Sequence, residues 1–142
     1  MSVPANVVRV EVPPRRDHLA LVRLVVSGAA AIGRSVPERR LEDLRLAVTE
    51  ACANAMDATQ KAGSEAPIVV AIDLEEGQAV VTVSDAAGGF DPAEVERLPA
   101  ATDPERLTHE RGLGLSLMRS LVDEVTFTRT ADGMEVRLVV RS

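Results

Sequence analysis

Four polar side chains recur at spacings of four, three and four along LRLAVTEACANAMDATQKAG (residues 44–63): Glu50, Asn54, Asp57 and Lys61. At 100° per residue they form one narrow stripe, opposite Leu41, Leu44, Val48, Ala51, Ala55 and Ala58. Glu50 and Asn54, at i and i+4, project the same way about one turn apart. A carboxylate there can polarise a hydroxyl or a water, and an amide oxygen is a neutral, hard ligand suited to Mg²⁺. The plainer reading of such a stripe is a solvated helix face, with Asp57 an i+4 partner of Lys61.

Two glycine-rich stretches could add to that chemistry. DAAGGF (85–90) directly follows a predicted strand. A carboxylate at Asp85 can accept a hydrogen bond from an exocyclic amine, and Gly88 and Gly89 let backbone approach a flat ring. RGLGL (111–115) opens a predicted helix. Gly112 and Gly114 would bring phosphate oxygens close to main-chain N–H groups, where the helix N-terminus adds partial positive charge. Arg111 is the nearby cation. The pattern is neither a P-loop nor the dinucleotide fingerprint. Singly, each stretch reads equally as a turn.

The elements that must hold these residues follow from patterning. A strand over 6–12 ends at Pro13 and Pro14, and Asp17 caps a helix over 18–33 in which Gly28 to Ala31 permit close packing. SVPE (35–38) has capping-box spacing ahead of a second helix that runs to about Lys61, with Gly63 as its stop. IVVAIDL and AVVTVSD flank the turn EEGQ as a hairpin. After a long polar segment, GLGLSLMRSLVDEV is helical, and VTFTRT and MEVRLVV close the chain as another hairpin. The order β-α-α-β-β-loop-α-β-β predicts an α+β two-layer sandwich, with a mixed sheet and about three helices on one face.

Composition narrows the function classes. The 142 residues suit one domain spanning 1–142, and 46% hydrophobic with 27% charged residues argues against global disorder. Phe90 and Phe127 are the only aromatics, so the core must be Val, Leu, Ile and Ala, and base-stacking platforms for nucleic acid are not expected. A net charge of −6 offers no basic field for nucleic acid or an anionic membrane. Cys52 is the single cysteine, expected as a small buried residue in a reducing compartment. With no signal-like N-terminus and no long apolar run, a cytoplasmic protein is expected. His18 and His109 have no metal-ligand spacing and read as surface or capping residues.

Taken together and in order, the three stretches are much more specific than any one. LRLAVTEACANAMDA, VSDAAGGFDP and ERGLGLSLMRSLVDEV resemble the nucleotide boxes of the GHKL superfamily of ATP-binding domains, the Bergerat fold. The chain looks most like the small bacterial anti-sigma factors that are also serine protein kinases, and the resemblance covers nearly all of it. It implies Glu50 as general base, Asn54 as ligand of Mg²⁺, and Asp85 as the group recognising the adenine amine, with Gly89 shaping the base pocket. Residues 91–111 would form the ATP lid, and Arg111, Gly112, Leu113 and Gly114 would meet the phosphates. It further implies ATP and Mg²⁺ as cofactors, a sigma factor and an anti-sigma antagonist as partners, and a homodimer. A nucleotide-dependent interaction module without kinase activity, or a stress-signalling kinase that never binds sigma, are the alternatives. Three positions depart from the family pattern: Ala87 in place of a glycine, Ala58 where histidine is frequent, and Met134 where a nucleotide-contacting threonine is common.

Overall fold

A computed structural model describes residues 7–33, 36–86 and 110–142. In chain order the elements are β1 (Val7–Val12), a 3-10 turn (Arg16–His18), α1 (Leu19–Gly33), α2 (Glu38–Lys61), β2 (Ile68–Glu75), β3 (Gln78–Asp85), α3 (Glu110–Leu121), β4 (Glu124–Arg129) and β5 (Met134–Arg141). This is the α+β arrangement expected from the sequence. The sheet has the order β1-β2-β3-β5-β4. It is antiparallel in all four pairings, not mixed as expected. The reason lies in the connections. Two helices between β1 and β2 bring the chain back to the end at which β1 finished, where Ile68 pairs with Val12, so β2 runs back along β1. β4 runs parallel to β3, but β5 folds between them and opposes both.

One face of the sheet makes the core. Ile68, Val70, Ile72 and Leu74 of β2 are buried in strict alternation, as period-two geometry requires. Register aligns Val70, Val83 and Val136 in one cross-sheet row and Ile72, Val81 and Leu138 in the next. Against them lie Val22 and Val26 of α1, Leu44, Val48 and Met56 of α2, and Met118 of α3, all nearly inaccessible. Aliphatic residues dominate, as the composition required, and Met56, Met118 and Met134 join the largest buried side chains. Cys52 is buried, which pushes its thiol up to about 12 by desolvation. No helix among the described residues is long and apolar enough to cross a membrane.

Several boundaries differ from expectation, each for a tertiary or local reason. Gly63 stops α2 as expected: its φ is +70°, its N–H donates to the Gln60 carbonyl, and that of Ser64 donates to Thr59. At the other end Pro37 occupies the N-cap position with no side-chain cap, and Ser35 lies outside the described residues. Asp17 sits within the 3-10 turn, which also has no side-chain cap at its start. In α1, Ala29 and Ala30 are buried, but Gly28 faces open space and allows no close approach. α3 ends at Leu121, where the sequence suggested helix to Val125. There the sheet captures the chain: the Asp123 N–H donates to the Val139 carbonyl, and the Asp123 carboxylate accepts the Arg141 N–H at 2.7 Å.

Asp123 also receives the Arg40 guanidinium at 3.1 Å, joining the start of α2 to the far end of β5. The Arg141 N–H bond, and secondarily Arg40, hold its carboxyl below the usual aspartate value. A carboxyl depressed in the folded state stabilises above its unfolded value of 3.8, and that stability is lost as pH falls through the folded value. Solvent screening of this half-exposed pair limits the effect, so Asp123→Ala is expected to cost about 1 kcal/mol or less near neutrality. Urea unfolding of parent and variant should converge in acid; a gap that widens as pH falls would contradict the assignment.

Candidate functional site

From Ala51 to Met56 every residue of α2 is buried. That stretch is ACANAM, and its alanines leave room where larger side chains would close the gap to the sheet. Asn54 lies within it at 7% exposure, so the stripe read from the sequence is not one solvated face. Glu50 and Asp57 are half-buried and Lys61 is exposed. Asp57 pairs with Arg16, not with Lys61: both carboxylate oxygens accept the guanidinium, at 2.7 and 3.2 Å. A fork of this kind outcompetes a single flexible ammonium one turn away.

Asn54 faces a narrow cleft with Ala51 and Ala55 of α2, Val83 and Asp85 of β3, Met118 of α3, and Met134 and Val136 of β5. Asp85 reaches it because β3 alternates. It shares the face of Val81 and Val83, at the strand end, and pairs in register with Met134. The volume is about 10 Å³, close to the lower limit for a single water. The Nδ2 atom of Asn54 is buried with no hydrogen-bond partner among the described residues. An amide left so is costly, on the order of 1–3 kcal/mol, and folded proteins keep few of them.

Of the eight site residues read from the sequence, the structure therefore brings Asn54 and Asp85 to one cleft. Glu50 sits one turn before Asn54 on α2 and does not line that cleft. Gly89 and most of the proposed lid, residues 91–109, lie outside the described residues, as do Ala87 and His109. Arg111, Gly112, Leu113 and Gly114 are the second to fifth residues of α3, which begins at Glu110. His18 is half-buried near the start of α1, and its buried Nδ1 has no partner among the described residues. Of the three departures, Ala58 and Met134 are buried, and Met134 lies in the cleft itself.

One residue against the cleft was not legible as such. Gly133 read as part of a hairpin turn, yet a Cβ placed on it would come within 2.1 Å of the Asp85 carbonyl oxygen. The DG pair before a strand signalled a turn. Only the β3–β5 pairing, between segments some fifty residues apart, shows what that turn rests on.

The sequence matches the model of the histidine kinase-like ATPase domain over residues 12–140. The chain belongs to that family. The resemblance of its three boxes to GHKL domains thus holds across the described fold. Among curated relatives of this ATPase domain is the serine-protein kinase RsbW of Bacillus licheniformis, 32% identical over 129 residues, covering 88% of this chain and 79% of that protein. RsbW of Bacillus subtilis strain 168 is 31% identical with the same coverage. RsbW of Staphylococcus epidermidis is 30% identical, covering 89% and 81%. Membership in the family implies ATP binding.

Among the described residues no group of three or more His, Cys, Asp or Glu could enclose a metal ion. The donor set suits a hard cation held by one amide and completed by phosphate oxygens and water, the usual arrangement for Mg²⁺ with a nucleotide. The unpartnered atom of Asn54 is Nδ2, a donor, which fits a phosphate oxygen or a water beside the cation, while the cation itself would take the Oδ1 of the same amide. An amide kept for a ligand should weigh on the ligand-free fold. Asn54→Leu, which keeps the branched shape and replaces the amide atoms with methyl groups, is expected to raise the melting temperature of the nucleotide-free protein by roughly 3–5 °C, the equivalent of about 1 kcal/mol at this size. Differential scanning calorimetry tests this; a melting temperature that falls would show that the amide is satisfied in the folded protein.

Proposed function

We propose that the protein is an ATP- and Mg²⁺-dependent serine/threonine protein kinase that also sequesters a sigma factor, its phosphorylation substrate being a small anti-sigma antagonist. The observation that carries this reading is the meeting of Asn54 and Asp85 in one cleft of an ATPase-family fold, with the Nδ2 atom of Asn54 buried and unpartnered among the described residues. Relatives named as serine-protein kinases match over most of their length, which supports transfer to a protein hydroxyl.

In this reading the Asp85 carboxylate accepts the N–H of the adenine amine, and the cleft, which has room for about one water, widens between the apolar side chains of Val83, Met118, Met134 and Val136 to admit the ring. Asn54 supplies its oxygen to Mg²⁺, which when bound neutralises triphosphate charge. Gly89, Arg111, Gly112, Leu113 and Gly114 contact the nucleotide, the last four from the start of α3, where the first backbone N–H groups, through Gly112, have no intrahelical acceptor. Glu50 takes the proton of the substrate hydroxyl as its oxygen bonds to the γ-phosphorus. The bond from that phosphorus to the bridging oxygen breaks, and its electron pair leaves with ADP. Residues 91–111 act as the lid. The protein works as a homodimer in the cytoplasm, without direct contact to nucleic acid or membrane.

A nucleotide-dependent binding module without transferase activity is the second reading. It is favoured by Met134, an apolar side chain placed in the cleft beside Asp85. Incubation with [γ-³²P]ATP and candidate antagonists separates the two. Glu50→Ala is expected to lower transfer by roughly 10²- to 10⁴-fold, the usual contribution of a general base, with ATP affinity retained. Asn54→Ala should abolish Mg²⁺-dependent ATP binding in a titration calorimeter while circular dichroism remains native. Unlabelled antagonist despite ATP binding supports the module, and unchanged affinity in Asn54→Ala refutes the metal assignment. Failure to co-purify with any sigma factor would favour a stress-signalling kinase of the same fold.

A further inference from the structure

Gly133 is buried at the last position of the turn between β4 and β5. The described glycines with positive φ are Gly63 and Gly77, so the backbone conformation of Gly133 is open to any residue. Space is what excludes a side chain. A Cβ at Gly133 would stand 2.1 Å from the Asp85 carbonyl oxygen, 2.8 Å from its carbonyl carbon and 2.7 Å from its Oδ1. Two of those three atoms are backbone, and Asp85, the last residue of β3, is paired with Met134 of β5 but lies one residue past the end of the β2 ladder at Ser84, so relief of the clash moves the strand end itself.

The turn is itself fastened. The Thr130 N–H donates to the Gly133 carbonyl at 2.9 Å, and the Gly133 N–H donates to the Thr130 hydroxyl oxygen at 2.9 Å. The next residue, Met134, pairs with Asp85 on one side and Arg129 on the other. Thr130 thus holds Gly133, and Gly133 forms the surface on which the end of β3 rests.

We propose that Gly133, held by Thr130, is a positioning residue for Asp85 and thereby sets the protein's preference for an adenine base. The inference rests on the proposed role of Asp85 toward the adenine amine. A carboxylate hydrogen bond to an exocyclic amine tolerates little displacement, since the contact weakens steeply outside 2.7–3.2 Å and away from linearity. Functional groups need placement to within about 0.5 Å, and opening a 2.1 Å approach to the 3.4 Å of ordinary contact needs a movement larger than that.

The experiment compares binding of ATP and inosine triphosphate, which carries a carbonyl where adenine has its amine, by calorimetry on the full chain. The parent should prefer ATP by roughly ten-fold or more, the factor that one charge-assisted hydrogen bond gives. Asp85→Asn should remove that preference, and Gly133→Ala should remove most of it. Thr130→Val should lower it by roughly two- to five-fold, as expected for one lost neutral hydrogen bond, and Thr130→Ser, which keeps the hydroxyl, should restore it. A variant that is only less stable binds both nucleotides less in equal proportion, so the ratio reports positioning and not folding. A ratio kept in Gly133→Ala but lost in Asp85→Asn overturns the role of Gly133 and leaves the adenine reading standing. If Gly133→Ala does not fold, a parental ratio in Thr130→Val overturns it instead. A ratio untouched by Asp85→Asn overturns the adenine reading and this inference with it.

Discussion

Burial of α2 on all sides between Ala51 and Met56 is the constraint from which the rest follows. A helix in the middle of a two-layer domain normally turns one polar flank to water. Here the sheet lies under one side, α1 under another, and α3 over a third. The residues that can occupy such a position are small or apolar, and five of the six are. The sixth is Asn54, and its amide is inside because α3 is docked there. Because the alanines are short, the same packing leaves the gap between α2 and the ends of β3 and β5 that becomes the cleft.

The ion pairs of the described residues are distributed to suit that constraint. Arg16 reaches Asp57 near the C-terminal end of α2, and Arg40 reaches Asp43 and Asp123 near its N-terminal end. Each pair sits where at least one partner has access to solvent, so little desolvation opposes it and little stability is gained. They fix where the helix ends lie along the sheet and leave its buried middle without charge. The cleft accordingly has one carboxylate at its rim, Asp85, and a neutral amide within.

Much of the fold was legible because its signals are local. The turn at Glu76 and Gly77, the stop at Gly63 and the alternation of β2 each depend on residues a few positions apart, and each appears as read. The antiparallel sheet, the early end of α3 and the choice of Arg16 as partner of Asp57 depend on contacts between distant segments. Arg16 and Asp57 are 41 residues apart, and nothing in the helical spacing favours that guanidinium over Lys61. The site divides in the same way. Asn54 and Asp85 stood out by residue type within recognisable boxes, whereas the environment of each is non-local. The wheel that grouped Asn54 with Asp57 and Lys61 treats a helix as having one neighbour, and α2 has three.

Asp85 and Asn54 reach the cleft by different means, and the difference bears on how the site tolerates change. Asn54 is held by the packing of a long helix, so its place is shared among Leu44, Val48, Met56 and the strands beneath them. No single contact decides it. Asp85 stands at the last residue of β3, one past the end of the β2 ladder, where its pairing with Met134 and the surface of Gly133 bear on its depth. A helix-held group loses its position gradually as the core is altered. A strand-end group loses it at once when the turn beneath it changes, even though that turn lies at the surface and contributes little to the core. The β4–β5 hairpin therefore carries a constraint out of proportion to its burial: its sequence is free to vary at Ala131 and Asp132, which are exposed, and not at Gly133.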